Sequence, residues 1–335
     1  MRMKTMMRTA ALCMGLTLFF QSCSDWTEVE NNVLQNLEGE PKSEAYYENL
    51  RAYKKTDHQL AFGWFGFWSG GTSTSARGSL RSVPDSVDLI AIWGNTWNYG
   101  EINQNRRDDL KYVQEKFGTK VVGTTLLGAM GQYLPEDWKP TGETQREKWT
   151  SYGRALAQMA LDAGLDGLDI DYEPGIGGEP TYGCPQGDDF LAFVKGCGEL
   201  LGPQSKSGKL LIVDGLFGFP YDCDQYFDYF ISQAYGTSSF SSLEGRFNSL
   251  KKRIKPEQFI VTENFESLWE NGGANFNHPD LGRIPSLLGM AYWTPKDGGR
   301  KGGCGTFHME YEYKHNPEYK YLRQAIQIMN PAKHE

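Results

Sequence analysis

Residues 166–173 read Asp166-Gly167-Leu168-Asp169-Ile170-Asp171-Tyr172-Glu173. Three acids, Asp169, Asp171 and Glu173, recur at spacing two. On a β-strand that period puts all three on one face, with the last at the end of the strand. Asp166 is out of phase with them and suits a structural role where the strand begins. Carboxylates on one face of an otherwise apolar strand place that face inside a barrel, with Glu173 at its mouth.

The rhythm on either side supports this. From about residue 57 short apolar runs recur: Leu60–Phe65, Val87–Trp93, Lys120–Leu126, Gly167–Asp171, Lys209–Val213, Tyr229–Tyr235, Gln258–Thr262 and Leu287–Trp293. Helical stretches lie between most of them, at Gln145–Ala163, Asp188–Leu201 and Ser242–Ile254, and a closing one runs over Pro317–Met329. Apolar runs of this length fit strands buried on both faces, as a parallel sheet requires. Eight of them predict a single α/β domain, a (β/α)8 TIM barrel over residues 45–335. A doubly wound sheet is the alternative, but no GxGxxG or phosphate-binding loop follows the first strand. No internal repeat or linker divides the region.

Barrel sites form at the carboxyl ends of the strands. Those ends carry Trp64, Phe65, Phe67 and Trp68; Trp93, Asn95 and Trp97; Asp171 and Glu173; Gln233 and Tyr235; Glu263 and Asn264; and Tyr292 and Trp293. Three neighbouring carboxylates cannot all ionise freely. Repulsion and burial raise at least one pKa and keep a proton available near neutral pH. A carboxyl that retains its proton is what cleavage of a glycosidic bond needs at the leaving oxygen. A structural or metal-binding acid ladder is the competing reading, but the other strand ends offer rings instead of further ligands. No metal or other cofactor is expected.

Asp166 through Glu173 resembles the DxxDxDxE signature of glycoside hydrolase family 18, with every acid present, and the likeness extends over residues 57 to 330. The resemblance implies a retaining mechanism without an enzyme nucleophile. Glu173 protonates the glycosidic oxygen, the substrate's 2-acetamido oxygen attacks the anomeric carbon, Asp171 holds the acetamide N–H, and Asp169 shares the proton of Asp171. Tyr235 corresponds to the family tyrosine that donates to the acetamide carbonyl. Gln233-Ala234-Tyr235 is similar to the Gln/Asn-x-Tyr of the family's endo-β-N-acetylglucosaminidases, where chitinases carry Met-x-Tyr-Asp. Trp293 matches the tryptophan beneath the reacting sugar. Further substrate contacts are expected from Asn264, Glu263, Asn95 and Trp64, with Trp68, Trp93 and Trp97 as candidate sugar platforms. The Gly-rich segments Gly175–Gly187 and Gly298–Gly305 read as loops flanking the site.

Met1 to Phe20 carries Arg2, Lys4 and Arg8 ahead of an apolar run too short to span a bilayer. Phe20-Gln21-Ser22-Cys23 follows and resembles a bacterial lipoprotein signal, cleaved before Cys23. An ordinary cleaved signal is the alternative. The expectation is a signal peptide over residues 1–22, lipidation at Cys23 and an acidic tether over 23–44. The acids after Cys23 resemble the surface-export signal of Bacteroides-type lipoproteins, which implies outer-membrane attachment, on the cell surface or the periplasmic face. Cys184, Cys197, Cys223 and Cys304 remain, as structural or free residues. An exported compartment permits two disulfides among them, with three pairings.

Composition narrows the partners. The 335 residues include 34 Lys+Arg against 42 Asp+Glu, and 13 % are aromatic. A net charge of −8 with no basic run argues against nucleic acid. Aromatic density on an acidic chain suits a carbohydrate cleft. The expected function is an endo-β-N-acetylglucosaminidase, a monomer that acts on N-linked glycans of glycoproteins and meets the membrane only through its lipid. A chitinase acting on chitooligosaccharides is the alternative, and a non-catalytic surface glycan-binding protein is a third reading.

Overall fold

A computed structural model describes residues 42–71, 77–98, 102–175 and 183–331. Residues 1–41, with Cys23 and the expected signal and most of the tether, lie outside the described residues, as does most of the Gly175–Gly187 segment. Eight parallel strands close a barrel: β1 Leu60–Phe65, β2 Leu89–Ile92, β3 Lys120–Leu126, β4 Gly167–Tyr172, β5 Leu210–Gly215, β6 Tyr229–Gln233, β7 Phe259–Asn264 and, after a short hairpin, β10 Gly303–Phe307. The hairpin, β8 Asn275–His278 and β9 Gly282–Pro285, is antiparallel and follows β7. The described α-helices are α1 Glu44–Tyr53, α2 Gln104–Tyr112, α3 Gln145–Asp162, α4 Gly187–Gly198, α5 Gly202–Ser205, α6 Phe240–Asn248, α7 Phe265–Leu268, α8 Ser286–Tyr292 and α9 Lys320–Met329.

Alternation along each strand separates two apolar layers. Phe62, Trp64, Leu89, Ala91, Val122, Ile212, Ile231 and Ile260 fill the barrel interior, while Ala61, Ile90, Val121, Leu168, Ile170, Leu211, Phe230 and Val261 belong to the layer beneath the helices. Burying each of the Val, Leu, Ile and Phe side chains contributes about 1.5–3 kcal/mol, which is why most of the strands run apolar on both faces. In that phase Asp169 and Asp171 point inward on β4. Asp166 sits at the opposite end of the barrel, where Lys120, Lys209 and Gln114 hold its carboxylate and Val121 N–H donates to it.

Seven strands fall where the apolar runs predict them, and the eighth does not. Leu287–Trp293 is not a strand but helix α8 and its C-cap. The buried Leu287, Met290 and Ala291 recur at i, i+3 and i+4, a helical period that a seven-residue apolar run conceals. The strand that closes the barrel is Gly303-Cys304-Gly305-Thr306-Phe307, which begins inside the segment Gly298–Gly305 expected to be loop. Its glycines are needed for close approach. A Cβ on Gly303 would lie 2.0 Å from Leu60 O, and one on Gly305 1.9 Å from Phe62 O. Composition that reads as loop is therefore the condition for β10 to pair with β1.

Candidate active site

The acids converge inside the carboxyl end of the barrel. Asp169 is 0 % exposed and Asp171 3 %, and Glu173 follows β4 half-buried at the mouth. Trp64, inward on β1, donates its indole N–H to Asp169 Oδ2 at 2.8 Å, and Thr124 Oγ1 on β3 donates to the same oxygen at 3.0 Å. Asp171 lies opposite Asp214 in the β4–β5 ladder. Gln233, inward at the end of β6, reaches both: its Nε2 donates to Asp214 Oδ2 at 2.8 Å and approaches Asp171 Oδ1 at 3.5 Å.

Burial dominates the electrostatics. It raises Asp169 to about 6, against the opposing hydrogen bonds from Trp64 and Thr124. Asp171 is held well above the usual carboxylate range by burial, then by the charges of Glu173 and Asp169. Asp214 is raised well above it by burial, then by Asp171 and Asp169. The charges acting on Asp171 and Asp214 are all carboxylates, so the cluster holds its protons to higher pH than isolated carboxyls do. Tyr235 stands just past β6, where burial and then Asp214, Asp171 and Glu173 push its hydroxyl upward and keep it a hydrogen-bond donor. Its ring stacks on Phe307 at the end of β10, at 6.2 Å and 28°.

A family profile described as glycoside hydrolase family 18, BT1044-like, matches residues 27–328. The chain belongs to glycoside hydrolase family 18. Its BT1044-like character extends to structure: a solved structure of BT1044 superposes with a TM-score of 0.74 at 30% identity, over 87% of this chain and 95% of that one. Endo-β-N-acetylglucosaminidase F2 of Elizabethkingia meningoseptica is 26% identical over 98% of this chain and its own full length. An endo-β-N-acetylglucosaminidase of Cordyceps militaris, in its apo form, matches with a TM-score of 0.63 at 25% identity over 87% of this chain and 98% of that one.

Within this family 18 barrel the expected site residues divide. Asp169, Asp171, Glu173, Gln233, Tyr235 and Trp64 come together as described. Trp64 is buried beneath the acids, so its contact is with Asp169 and not with a sugar. Asn264 lies in the inward phase of β7, and its side chain accepts from Glu266 N–H. Glu263 does not face the chamber. It points into the layer outside β7, fully buried, where Gly236 and Asn264 N–H and Ser286 Oγ–H donate to it, with Ala274 N–H at 3.4 Å. It locks the turn after Tyr235 to β7.

Trp293 also departs from expectation. Since Leu287–Trp293 is not the eighth strand, Trp293 is 2 % exposed at the end of α8, packed on Phe247 and Phe259 outside the barrel. The ring at the true eighth strand end is Phe307, edge-on to Trp64 and Trp93. Asn95 is exposed after β2, beside Asn98. Trp68 and Trp97 are core, donating to Asp109 and Thr124 O, and Trp93 is half-buried at the mouth. Phe67, held at φ 52° after β1, presents a ring 70 % exposed.

Asp214 is absent from the sequence-predicted set because the fifth apolar run, Lys209–Val213, stops two residues short of the end of β5. An acid ending an apolar strand is the signal that marks β4, and it was equally visible in Leu210-Leu211-Ile212-Val213-Asp214. The four cysteines among the described residues, Cys184, Cys197, Cys223 and Cys304, are free.

Proposed function

We propose that the protein is an endo-β-N-acetylglucosaminidase that hydrolyses the GlcNAc-β1,4-GlcNAc core of N-glycans by substrate-assisted, retaining catalysis. The observation that supports this is the Gln233 amide, which spans Asp171 and Asp214 two residues before Tyr235, so the groups that this reading assigns to the acetamide lie side by side. The reading draws further support from Endo F2 of Elizabethkingia, whose likeness spans nearly the whole chain.

Glu173, at the mouth beside the buried acids, donates its proton to the glycosidic oxygen. The acetamide oxygen of the same sugar attacks the anomeric carbon, and an oxazolinium ion forms. Asp171 accepts the acetamide N–H and opposes the positive charge, while Tyr235 Oη–H orients the acetamide carbonyl. Water then adds at the anomeric carbon, with Glu173 taking its proton. A positioned general acid contributes about 10²–10⁴-fold, and holding the internal nucleophile in line adds to that. The protein works as a monomer, exported and held by a lipid on Cys23 at the outer membrane.

Mass spectrometry of a glycoprotein such as ribonuclease B after incubation with the protein tests this. A single GlcNAc left on asparagine supports the proposal. Intact glycoprotein alongside cleaved chitooligosaccharide makes the protein a chitinase, and binding without cleavage makes it a glycan-binding protein.

A further inference from the structure

Asp214 is a buried carboxyl to which the reaction assigns no task. It lies on β5 at 1 % exposure, directly across the ladder from Asp171. Its Oδ2 accepts from Gln233, yet its Oδ1 is buried with no donor. Asp169 mirrors this arrangement: Trp64 and Thr124 fill its Oδ2, and its Oδ1 is likewise buried and unpartnered. Asp169 pairs with Ile212 in the β4–β5 ladder, so Asp214, two residues further along the same inward face, is its diagonal neighbour. Two ionised carboxylates offer only acceptors, so neither can satisfy the other. Two orphaned buried oxygens side by side are costly, and one proton between them removes both penalties.

We propose that Asp214 is a positioning residue carried as the neutral acid, whose Oδ1–H donates to Asp169 Oδ1 while its carbonyl Oδ2 accepts from Gln233. Asp169 thereby receives three donors, from β1, β3 and β5, and is held as the anion that draws on the proton of Asp171. The other groups facing Asp214 are consistent with a neutral residue there: Asp171, Asp169 and Glu173 from β4 are all acidic, Gln233 from β6 is a neutral donor, and Tyr235 after β6 keeps its hydroxyl proton. An additional anion at this point would face repulsion from β4 with no cation opposing it among those groups. The inference rests on the family 18 hydrolase reading, and not on which glycan is cut.

Asp214→Asn tests it, because an amide reproduces both bonds, its oxygen accepting from Gln233 and its NH2 donating to Asp169. The expected result is kcat and KM within about two-fold of wild type and an unmoved acidic limb in the pH profile of kcat/KM. Asp214→Leu, of similar size but with no donor, is expected to lower kcat at least ~10-fold and move the acidic limb upward. Infrared spectra of the free protein near neutral pH add a substrate-independent measurement. The wild type is expected to show a protonated-carboxyl C=O band that weakens in Asp214→Asn. An Asp214→Asn variant with a displaced acidic limb, or a wild-type spectrum lacking the band, overturns the proposal. Kinetics are measured on whichever GlcNAc-linked substrate the wild type cleaves, so a wrong glycan leaves the test intact. A wild type that cleaves none refutes the functional reading alone, since the infrared result still reports on Asp214.

Discussion

Replacing Trp64 with phenylalanine removes the indole N–H that reaches Asp169 Oδ2 at 2.8 Å and leaves an aromatic ring in the barrel floor. A hydrogen bond to a charged group is worth about 1.5–3 kcal/mol, and each pKa unit corresponds to about 1.4 kcal/mol, so Asp169 should rise by roughly one to two units. From its starting point of about 6 this takes it above neutrality. The reaction needs a negative charge on the Asp169–Asp171 pair opposite the oxazolinium ion, and the pair titrates as a unit. The acidic limb of kcat/KM against pH should therefore move upward by about one unit or more, and activity below neutral pH should fall about ten-fold. The smaller ring also leaves a gap between Phe62 and Phe307, whose rings contact the indole at 4.7 and 6.1 Å, and costs on the order of 1–2 kcal/mol of stability. Thermal melting measures that loss separately from the kinetics. A folded Trp64→Phe variant whose acidic limb coincides with that of wild type would refute the assignment of this bond to charge control.

Glu173→Gln should lower turnover by about 10²–10⁴-fold and leave glycan affinity nearly unchanged, as measured by product release and by calorimetry. Asp171→Asn should abolish turnover and raise Tm at mildly alkaline pH. Burial lifts the native pKa of Asp171 above its unfolded value, so its ionised form costs stability, about 1.4 kcal/mol per unit of elevation. The cost is absent below about pH 4, where both states are protonated, and grows as pH rises toward the native pKa, so melting curves at acidic pH should nearly coincide. Trp293→Ala should lose about 3–5 kcal/mol of stability, and Trp293→Phe should keep the wild-type KM. A large KM increase in folded Trp293→Phe would contradict its placement outside the barrel.

The legible part of the sequence was the part with a single physical interpretation. Acids at spacing two on an apolar strand have one arrangement in a barrel, and β4 has it. Gln233 and Tyr235 followed from the same strand-end logic. Trp residues were less informative, since a large apolar ring satisfies either a core or a sugar-binding surface. Trp68 and Trp97 took the core, and Phe67, with no distinguishing sequence signal, took the solvent. β10 was illegible for a different reason. Its place beside β1 requires the absence of side chains, and hydrophobic patterning detects only their presence. Misplacing that strand carried Trp293 with it and hid Phe307.

Glu263 has a consequence beyond holding the turn after Tyr235. Its carboxylate accepts from Ser286, which begins α8, and lies close to Gly273–Ala274, which lead into the hairpin. Gly273, at φ 106°, passes so near that a Cβ would meet Ser286 Oγ at 2.0 Å and Glu263 Cγ at 2.8 Å. The two ends of the β8–β9 excursion are thus pinned at one point on the barrel wall. Loop-closure entropy for such an excursion changes only slowly with its length. The exposed turn of this hairpin, residues 279–282, is the part free to lengthen, shorten or be exchanged without moving the acids, provided that the glutamate, glycine and serine at its base and the fully buried Phe276 are kept.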